Sequence, residues 1–268
     1  MEVGLYGECN FLQKVMNLQL GGKTVLVTGS SRGIGKSIAK AFYDEGCNLI
    51  LNGRDHNTIL QTLQEFPERT SYFVGDVTNS QTCNSLIKKV IEDWGKLDVM
   101  ICNVGSGKSV PSGCETSEEW NRVLGINFFS TTNMVEAAKH ELKKTQGTIV
   151  CISSIAGVEN TAAPLTYSVA KAALNTYVKG ISKVLAKDNI RINAVAPGNI
   201  LFEHSVWDNK LKENPTFVEE LLQKEVALNR LGTPEEIANF VIFLSSKLSD
   251  FATGSIFVVD GGQTRSIS

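Results

Sequence analysis

The chain has 268 residues, of which 42% are hydrophobic and 20% charged, with a formal net charge of −2. That is the composition of a folded globular protein, and it excludes both disorder and a global electrostatic pull towards nucleic acid or anionic membrane. Six cysteines (Cys9, Cys47, Cys83, Cys102, Cys114, Cys151) fall into no CxxC and no Cys/His cluster, which argues against a metal site and a disulfide framework and for reduced thiols in a cytoplasmic protein.

Residues 1–20 read as an N-terminal extension, and residues 21–268 as one domain. The extension lacks a basic stretch followed by an apolar core, so it does not read as a secretory signal. Phe11, Leu12, Val15, Met16 and Leu18 suggest a short amphipathic turn or helix, open between packing on the domain, packing on a neighbouring subunit and disorder.

From there strands and helices alternate. Residues 24–28 form a β-branched apolar run of the kind that makes a buried parallel strand. A glycine-rich turn follows, then a helix over 36–45 closed by Gly46, and a strand over 48–51. Further helices are predicted over 56–66, 81–94, 164–187, 208–228 and 234–246. A long helical pattern over 117–144 has a break near Gly125, and Thr116 with Glu119 reads as a capping box at its start. Strands are predicted over 71–74, 97–102, 148–153, 190–195 and 256–259. Seven strands with intervening helices define an α/β fold: a single doubly wound, Rossmann-type parallel sheet with helices on both faces. Residues 199–232 form the long excursion between the last two strands and read as a substrate lid, because ligands bind beyond the carboxyl ends of such strands. No apolar run reaches membrane-spanning length.

Two stretches carry chemistry. The first is Gly29-Ser30-Ser31-Arg32-Gly33-Ile34-Gly35. Glycines let the turn be tight and let backbone approach a pyrophosphate, which then sits at the N-terminus of the following helix. The next strand ends Asn52-Gly53-Arg54, without the acid that would hold the ribose 2′-hydroxyl of NAD. Arg32 and Arg54 suit a 2′-phosphate instead, so NADP(H) is favoured over NAD(H). Asp55 complicates this, since it could pair with Arg54. The sequence Gly105-Ser106-Gly107-Lys108-Ser109 imitates a phosphate-binding loop but would need glycine at Cys102 and a helix starting at Lys108.

The second stretch is Tyr167-Ser168-Val169-Ala170-Lys171. Four positions apart on a helix, Tyr167 and Lys171 share a face. An ammonium beside a phenol favours phenolate and lowers the phenol's pKa from its ordinary value of about 10. Such a phenol can exchange protons near neutral pH.

Taken together in chain order, these motifs resemble the short-chain dehydrogenase/reductase family in its typical single-domain branch, including the 3-oxoacyl carrier-protein reductases. The matching residues are Thr28 to Gly35, Asp76-Val77, Asn103-Val104-Gly105, Asn127, Ser153-Ser154, Tyr167 to Lys171, Pro197-Gly198 and Asp260-Gly261-Gly262. The resemblance covers about residues 21–262. It implies Tyr167 as general acid in ketone reduction and Lys171 as the group that lowers its pKa and holds the nicotinamide ribose. Ser154 would bond the substrate carbonyl, with Ser153 the weaker candidate. Asn127 would hold a water in a proton relay from Lys171. For the cofactor it implies Gly29, Ser31, Arg32, Gly33, Ile34 and Gly35 at the turn, and Asp76 with Val77 at the adenine. Asn103 and Gly105 would flank the adenosine side, and Pro197, Gly198 and Ile200 would line the nicotinamide.

Two departures from the family pattern are Val104, where many relatives carry alanine, and Phe202, where many carry a cofactor-contacting threonine. Phe202, Glu203, His204 and Trp207 therefore become candidate lid residues for substrate. The expected activity is hydride transfer between NADP(H) and a ketone or secondary alcohol. The alternatives are 3-oxoacyl thioester reduction or a sugar or sugar-nucleotide dehydrogenase, and a non-enzymatic cofactor-binding sensor is disfavoured by the intact Ser154, Tyr167 and Lys171. The expected partners are a small carbonyl or alcohol substrate and further copies of the chain, as a homotetramer or homodimer, with no nucleic acid and no membrane.

Overall fold

A computed structural model describes residues 17–266. Of the amphipathic turn or helix expected from Phe11, Leu12, Val15, Met16 and Leu18, all but Leu18 lies outside the described residues; Leu18 packs on the core and Leu20 is buried. Seven parallel strands form one sheet in the order β3-β2-β1-β4-β5-β6-β7. They are β1 (Thr24–Val27), β2 (Asn48–Gly53), β3 (Thr70–Val74), β4 (Val99–Cys102), β5 (Thr148–Ile152), β6 (Arg191–Pro197) and β7 (Ile256–Val259). The order reverses between β1 and β4, which opens a crevice at the carboxyl ends of those two strands.

The central strands are apolar on both faces because each face is covered. On one face Leu26, Met100, Ile149 and Ile192 pack with Leu86, Met134, Leu174 and Val178. These belong to α3 (Ser80–Trp94), α5 (Ser130–Thr145) and α6 (Leu165–Leu185). On the other face Val25, Val27, Ile101 and Val150 pack with Ile38, Phe42, Ile237 and Val241, from α1 (Gly33–Asp44) and α9 (Pro234–Ser245). The shorter α2 (His56–Gln64) follows β2. Alternate residues of each strand thus supply two separate cores.

The predicted long helix over 117–144 is interrupted where Gly125 suggested. It comprises α4 (Ser117–Leu124), a wide π-helical turn over Gly125–Phe129, and α5. Only half of the expected capping box forms. Thr116 accepts from the Glu119 amide, while the Glu119 carboxylate goes to Arg122 and Ser109 instead. Arg122 holds that carboxyl down at about 2. A complete box forms at Thr233 and Glu236, at the start of α9.

The predicted helix over 208–228 is two helices, α7 (Val206–Glu213) and α8 (Pro215–Glu225). Pro215 cannot continue a helix from Asn214 but fits the first turn of a new one, and Asn214 caps it through Phe217 N. Among the described residues, no helix is long and apolar enough to cross a membrane. The described cysteines are free, four of them buried.

Candidate active site

The glycine turn is built for close approach. Gly29 follows β1 with φ +64° and Gly33 opens α1 with φ +55°, both in the region that side chains disfavour. A β-carbon on Gly35 would stand 2.3 Å from the Gly29 carbonyl oxygen and 2.4 Å from Asn103 Nδ2. Asn103 stitches this turn to the segment leaving β4. Its Nδ2 donates to the carbonyls of Thr28 (3.1 Å) and Gly29 (3.0 Å), and its backbone N–H donates to Thr28 Oγ1. The start of α1 therefore presents free N–H groups on a turn whose glycines add no side chain of their own, which fits a dinucleotide diphosphate.

The arginines lie at the rim of this cradle. Arg32 is exposed at the N-cap of α1 and makes no side-chain cap. Arg54 is exposed and lies 3.7 Å from Asp76. Asp55 does not pair with it but caps α2, accepting from Thr58 N and Oγ1 at 2.7 Å, and these bonds hold its carboxyl below the usual range. Asp76 accepts from Thr78 N. The Val77 side chain turns into the core, leaving only backbone for a ligand.

Tyr167 and Lys171 lie in the first two turns of α6. Lys171 is 2% exposed, and its Nζ donates to the Ile152 carbonyl at 2.7 Å, at the end of β5. Burial pushes this ammonium down to about 8. Tyr167 keeps partial exposure at its edge, yet its surroundings desolvate the phenol and raise its pKa, with the Ser154 hydroxyl pulling the other way. This reverses the direction expected from spacing alone. The Lys171 nitrogen stands 5.8 Å from the ring centroid and its hydrogen bond is directed at a backbone carbonyl, so burial outweighs its field at the phenol.

Asn127 sits on the wide turn between α4 and α5 and is 1% exposed. Its amide is engaged by backbone: Oδ1 accepts from Ser106 N, and Nδ2 donates to the carbonyls of Ser106 and Val123. The wide turn aims this side chain out of the helix and into the loop after β4. Gly105 lies between Asn127 and Lys171. A β-carbon there would be 3.1 Å from Asn127 Oδ1 and 3.2 Å from Lys171 Nζ. The loop is also tied to α6 through Ser109 Oγ, 2.7 Å from both Glu119 Oε1 and Thr166 Oγ1.

The segment carrying Ser154 is locked against the same helix. Ser153 Oγ donates to Asn175 Oδ1 at 2.6 Å, and Asn175 Nδ2 donates to the Gly157 carbonyl at 2.9 Å. Gly157 packs so close to α6 that a β-carbon would stand 2.5 Å from the Lys171 carbonyl carbon. Ser154 caps the short turn that follows, accepting from Ala156 N. Asn175 and Gly157 were not singled out in the sequence. The available signal was Asn175 lying four residues beyond Lys171, on the stripe that begins at Tyr167.

Pro197 ends β6 in register with Val259, and Gly198 donates to the Val259 carbonyl. Ile200 is buried and bridges to Gly232 at the two ends of the excursion. Phe202 lays its ring on the turn, 2.6 Å from where a Gly33 β-carbon would be. His204 and Trp207 remain within their own segment. His204 has φ +60° and donates its N–H to Asp208, and Lys210 stacks over Trp207 at 4.4 Å.

Comparison with known proteins follows the same outline. The family described as Enoyl-(Acyl carrier protein) reductase matches residues 29–264. The 3-oxoacyl-[acyl-carrier-protein] reductase FabG of Chlamydia muridarum is 34% identical over 252 residues, covering 92% of this chain and 99% of that protein. The L-sorbose reductase of Gluconobacter frateurii, solved with NADPH and L-sorbose, superposes with a TM-score of 0.88 at 27% identity, covering 94% of this chain and 100% of that one. A 7α-hydroxysteroid dehydrogenase, solved with NADH and 7-oxo glycochenodeoxycholic acid, gives 0.85 at 28% identity, covering 94% and 98%.

Proposed function

The chain belongs to the short-chain dehydrogenase/reductase family and is an oxidoreductase of CH–OH and ketone groups; on that premise we propose that it transfers hydride between NADP(H) and a ketone or secondary alcohol, with Tyr167 as the proton donor and acceptor. The observation that carries this reading is the convergence of Tyr167, Ser154 and Lys171 at the carboxyl end of β5, with the glycine turn at the start of α1 at the same end of the sheet.

The nicotinamide supplies the hydride chemistry when bound. Gly29, Ser31, Gly33, Ile34 and Gly35 would cradle the diphosphate, Asp76 and the Val77 backbone would border the adenine, and Asn103 and Gly105 would shape the adenosine side. Pro197, Gly198 and Ile200 would line the nicotinamide. In reduction, negative charge grows on the carbonyl oxygen. Ser154 donates a hydrogen bond to that oxygen and Tyr167 donates its proton, and both interactions strengthen as the charge develops. The burial that raises the Tyr167 pKa keeps the phenol protonated at neutral pH, which suits the reductive direction. Lys171, fixed on Ile152 O, would hold the ribose. Asn127, tied to Ser106, holds the loop and its Gly105 against Lys171 and borders the route by which a proton returns.

Arg32 and Arg54 support NADP(H). Both are exposed at the rim, one at the start of α1 and one after β2, and no carboxylate from Gly53 competes for the ribose. Similarity to FabG supports a 3-oxoacyl thioester as the second reading of the substrate. The five described cysteines, all free, support a reducing, cytoplasmic setting, and exposed Phe129, Leu165 and Val169 around α5 and α6 support assembly as a homodimer or homotetramer.

The test compares kcat/KM with NADPH and NADH on a panel of ketones, acyl thioesters and sugars. Arg32→Ala or Arg54→Ala is expected to raise KM for NADPH by about tenfold or more, the scale of a lost charged hydrogen bond, and to leave NADH unchanged. Equal use of both cofactors by the parent protein would sink the 2′-phosphate assignment.

A further inference from the structure

Three residues of α6 fall on one stripe at intervals of four: Tyr167, Lys171 and Asn175. The first two face the reaction. The third has both ends of its amide committed to the segment that carries Ser154. Oδ1 accepts the Ser153 hydroxyl at 2.6 Å, and Nδ2 donates to the Gly157 carbonyl at 2.9 Å. Because one bond needs an acceptor and the other a donor, the amide can satisfy both in only one orientation.

Ser154 lies inside this clamp. Residue 153 is held on one side by Asn175 and by its own N–H to the Val195 carbonyl. On the other side Gly157 is pinned by Asn175, by its N–H to the Ser154 carbonyl, and by direct contact with the α6 backbone at Lys171. The Ser154 oxygen accepts from Ala156 N at 3.2 Å. Its single proton is therefore free to be donated, and the backbone decides where it points.

We infer that Asn175 is a positioning residue for the reaction: through Ser153 and Gly157 it sets the Ser154 hydroxyl against Tyr167, and Ser153 acts only as its partner. The inference rests on Tyr167 and Ser154 working as proposed above. Its chemistry is that of a preorganised donor, whose value depends on being held before charge develops. A hydroxyl displaced by a fraction of an ångström still fits the fold but loses its catalytic worth. The charged group facing the phenol is Lys171, on the same helix, and Ser154 is the neutral hydroxyl beside it. Loosening Ser154 removes the group that pulls the phenol's pKa down.

The experiment uses Asn175→Leu, which keeps the branched heavy-atom skeleton and removes the amide, with Ser153→Ala as a milder variant should the first fold poorly. Asn175→Leu is expected to lower kcat by about tenfold, the scale of one well-placed hydrogen bond, with cofactor Kd unchanged. Tyrosinate absorbance, read without substrate as the difference from the matching Tyr167→Phe variant, should appear at higher pH than in the parent. Ser153→Ala should shift both readouts in the same direction by less, and the double variant should be no worse than Asn175→Leu alone. An unmoved tyrosinate titration, or a kcat that falls only with the folded fraction, would overturn the inference. If Tyr167→Phe itself turns over normally, it is the functional reading that falls.

Discussion

The corner around α6 and the excursion between β6 and α9 are built on opposite terms. At the corner, buried or half-buried side chains bond to backbone carbonyls: Lys171 to Ile152, Asn127 to Ser106 and Val123, Asn175 to Gly157. Such bonds are strongly directional, and a buried group deprived of its partner is costly. In the excursion, Leu201, Val206, Phe217 and Leu228 are exposed, and an ion pair such as Lys224 with Glu225 is largely in solvent, where it is worth little. The contrast is one of construction: the corner is set by directional bonds to backbone, and the excursion by weaker contacts that face solvent.

Three changes probe that contrast. The largest effect belongs to Tyr167→Phe, which should reduce kcat by roughly three orders of magnitude while fluorescence titration shows cofactor still bound. Near-normal turnover would remove the corner's chemistry altogether.

Lys171→Met comes next and should separate function from stability. Burial lowers the ammonium from its ordinary 10.5 to about 8, so between those values the unfolded chain binds more protons and stability rises with pH. Below about 8 the full penalty of burying the charge applies, on the order of 3 kcal/mol. Losing the donor to Ile152 O offsets about 1–2 kcal/mol of that. Denaturant unfolding at pH 7 should find the inactive variant more stable by about 1–2 kcal/mol, with the gain vanishing towards pH 10. A variant less stable at pH 7 would mean that the ammonium is not an electrostatic burden on the fold.

The smallest effect falls in the excursion. Ser205 caps α7 through Asp208 N, and Ser205→Ala should cost about 1 kcal/mol of local order. Substrate KM should rise a few-fold, with kcat near that of the parent. A large fall in kcat would show that the two regions are not independent.

This contrast also explains what could be read from the sequence. The strands were legible because parallel strands buried on both faces are written as unbroken apolar runs, such as Val25-Leu26-Val27 and Ile149-Val150-Cys151. The Tyr167/Lys171 pair was legible because helical spacing carries it. The direction of the Tyr167 pKa was not, because spacing along a helix reveals neither solvent nor where Lys171 sends its proton. Asn175 was hidden for a related reason: its partners Ser153 and Gly157 are close in space and not in sequence. The joint at Asn214-Pro215 was overlooked because amphipathic spacing runs through it, although proline marked the spot. Phe202 announced itself as a departure, but only the fold shows its ring resting on Gly33.

The wide turn over Gly125–Phe129 has one more consequence. An α-helix advances about 100° per residue, and a π-turn accommodates one extra residue without breaking the rod. Everything after Phe129 is therefore rotated out of phase with everything before Gly125. That is how one continuous stretch serves two neighbours, α4 lying on α6 and α5 lying on α3. Deleting one residue of this turn other than Asn127 would bring the two halves back into phase. It would swing the apolar stripe of α5 away from α3 and withdraw Asn127 from Ser106 in the same motion, so that packing and site geometry share a single rotational setting.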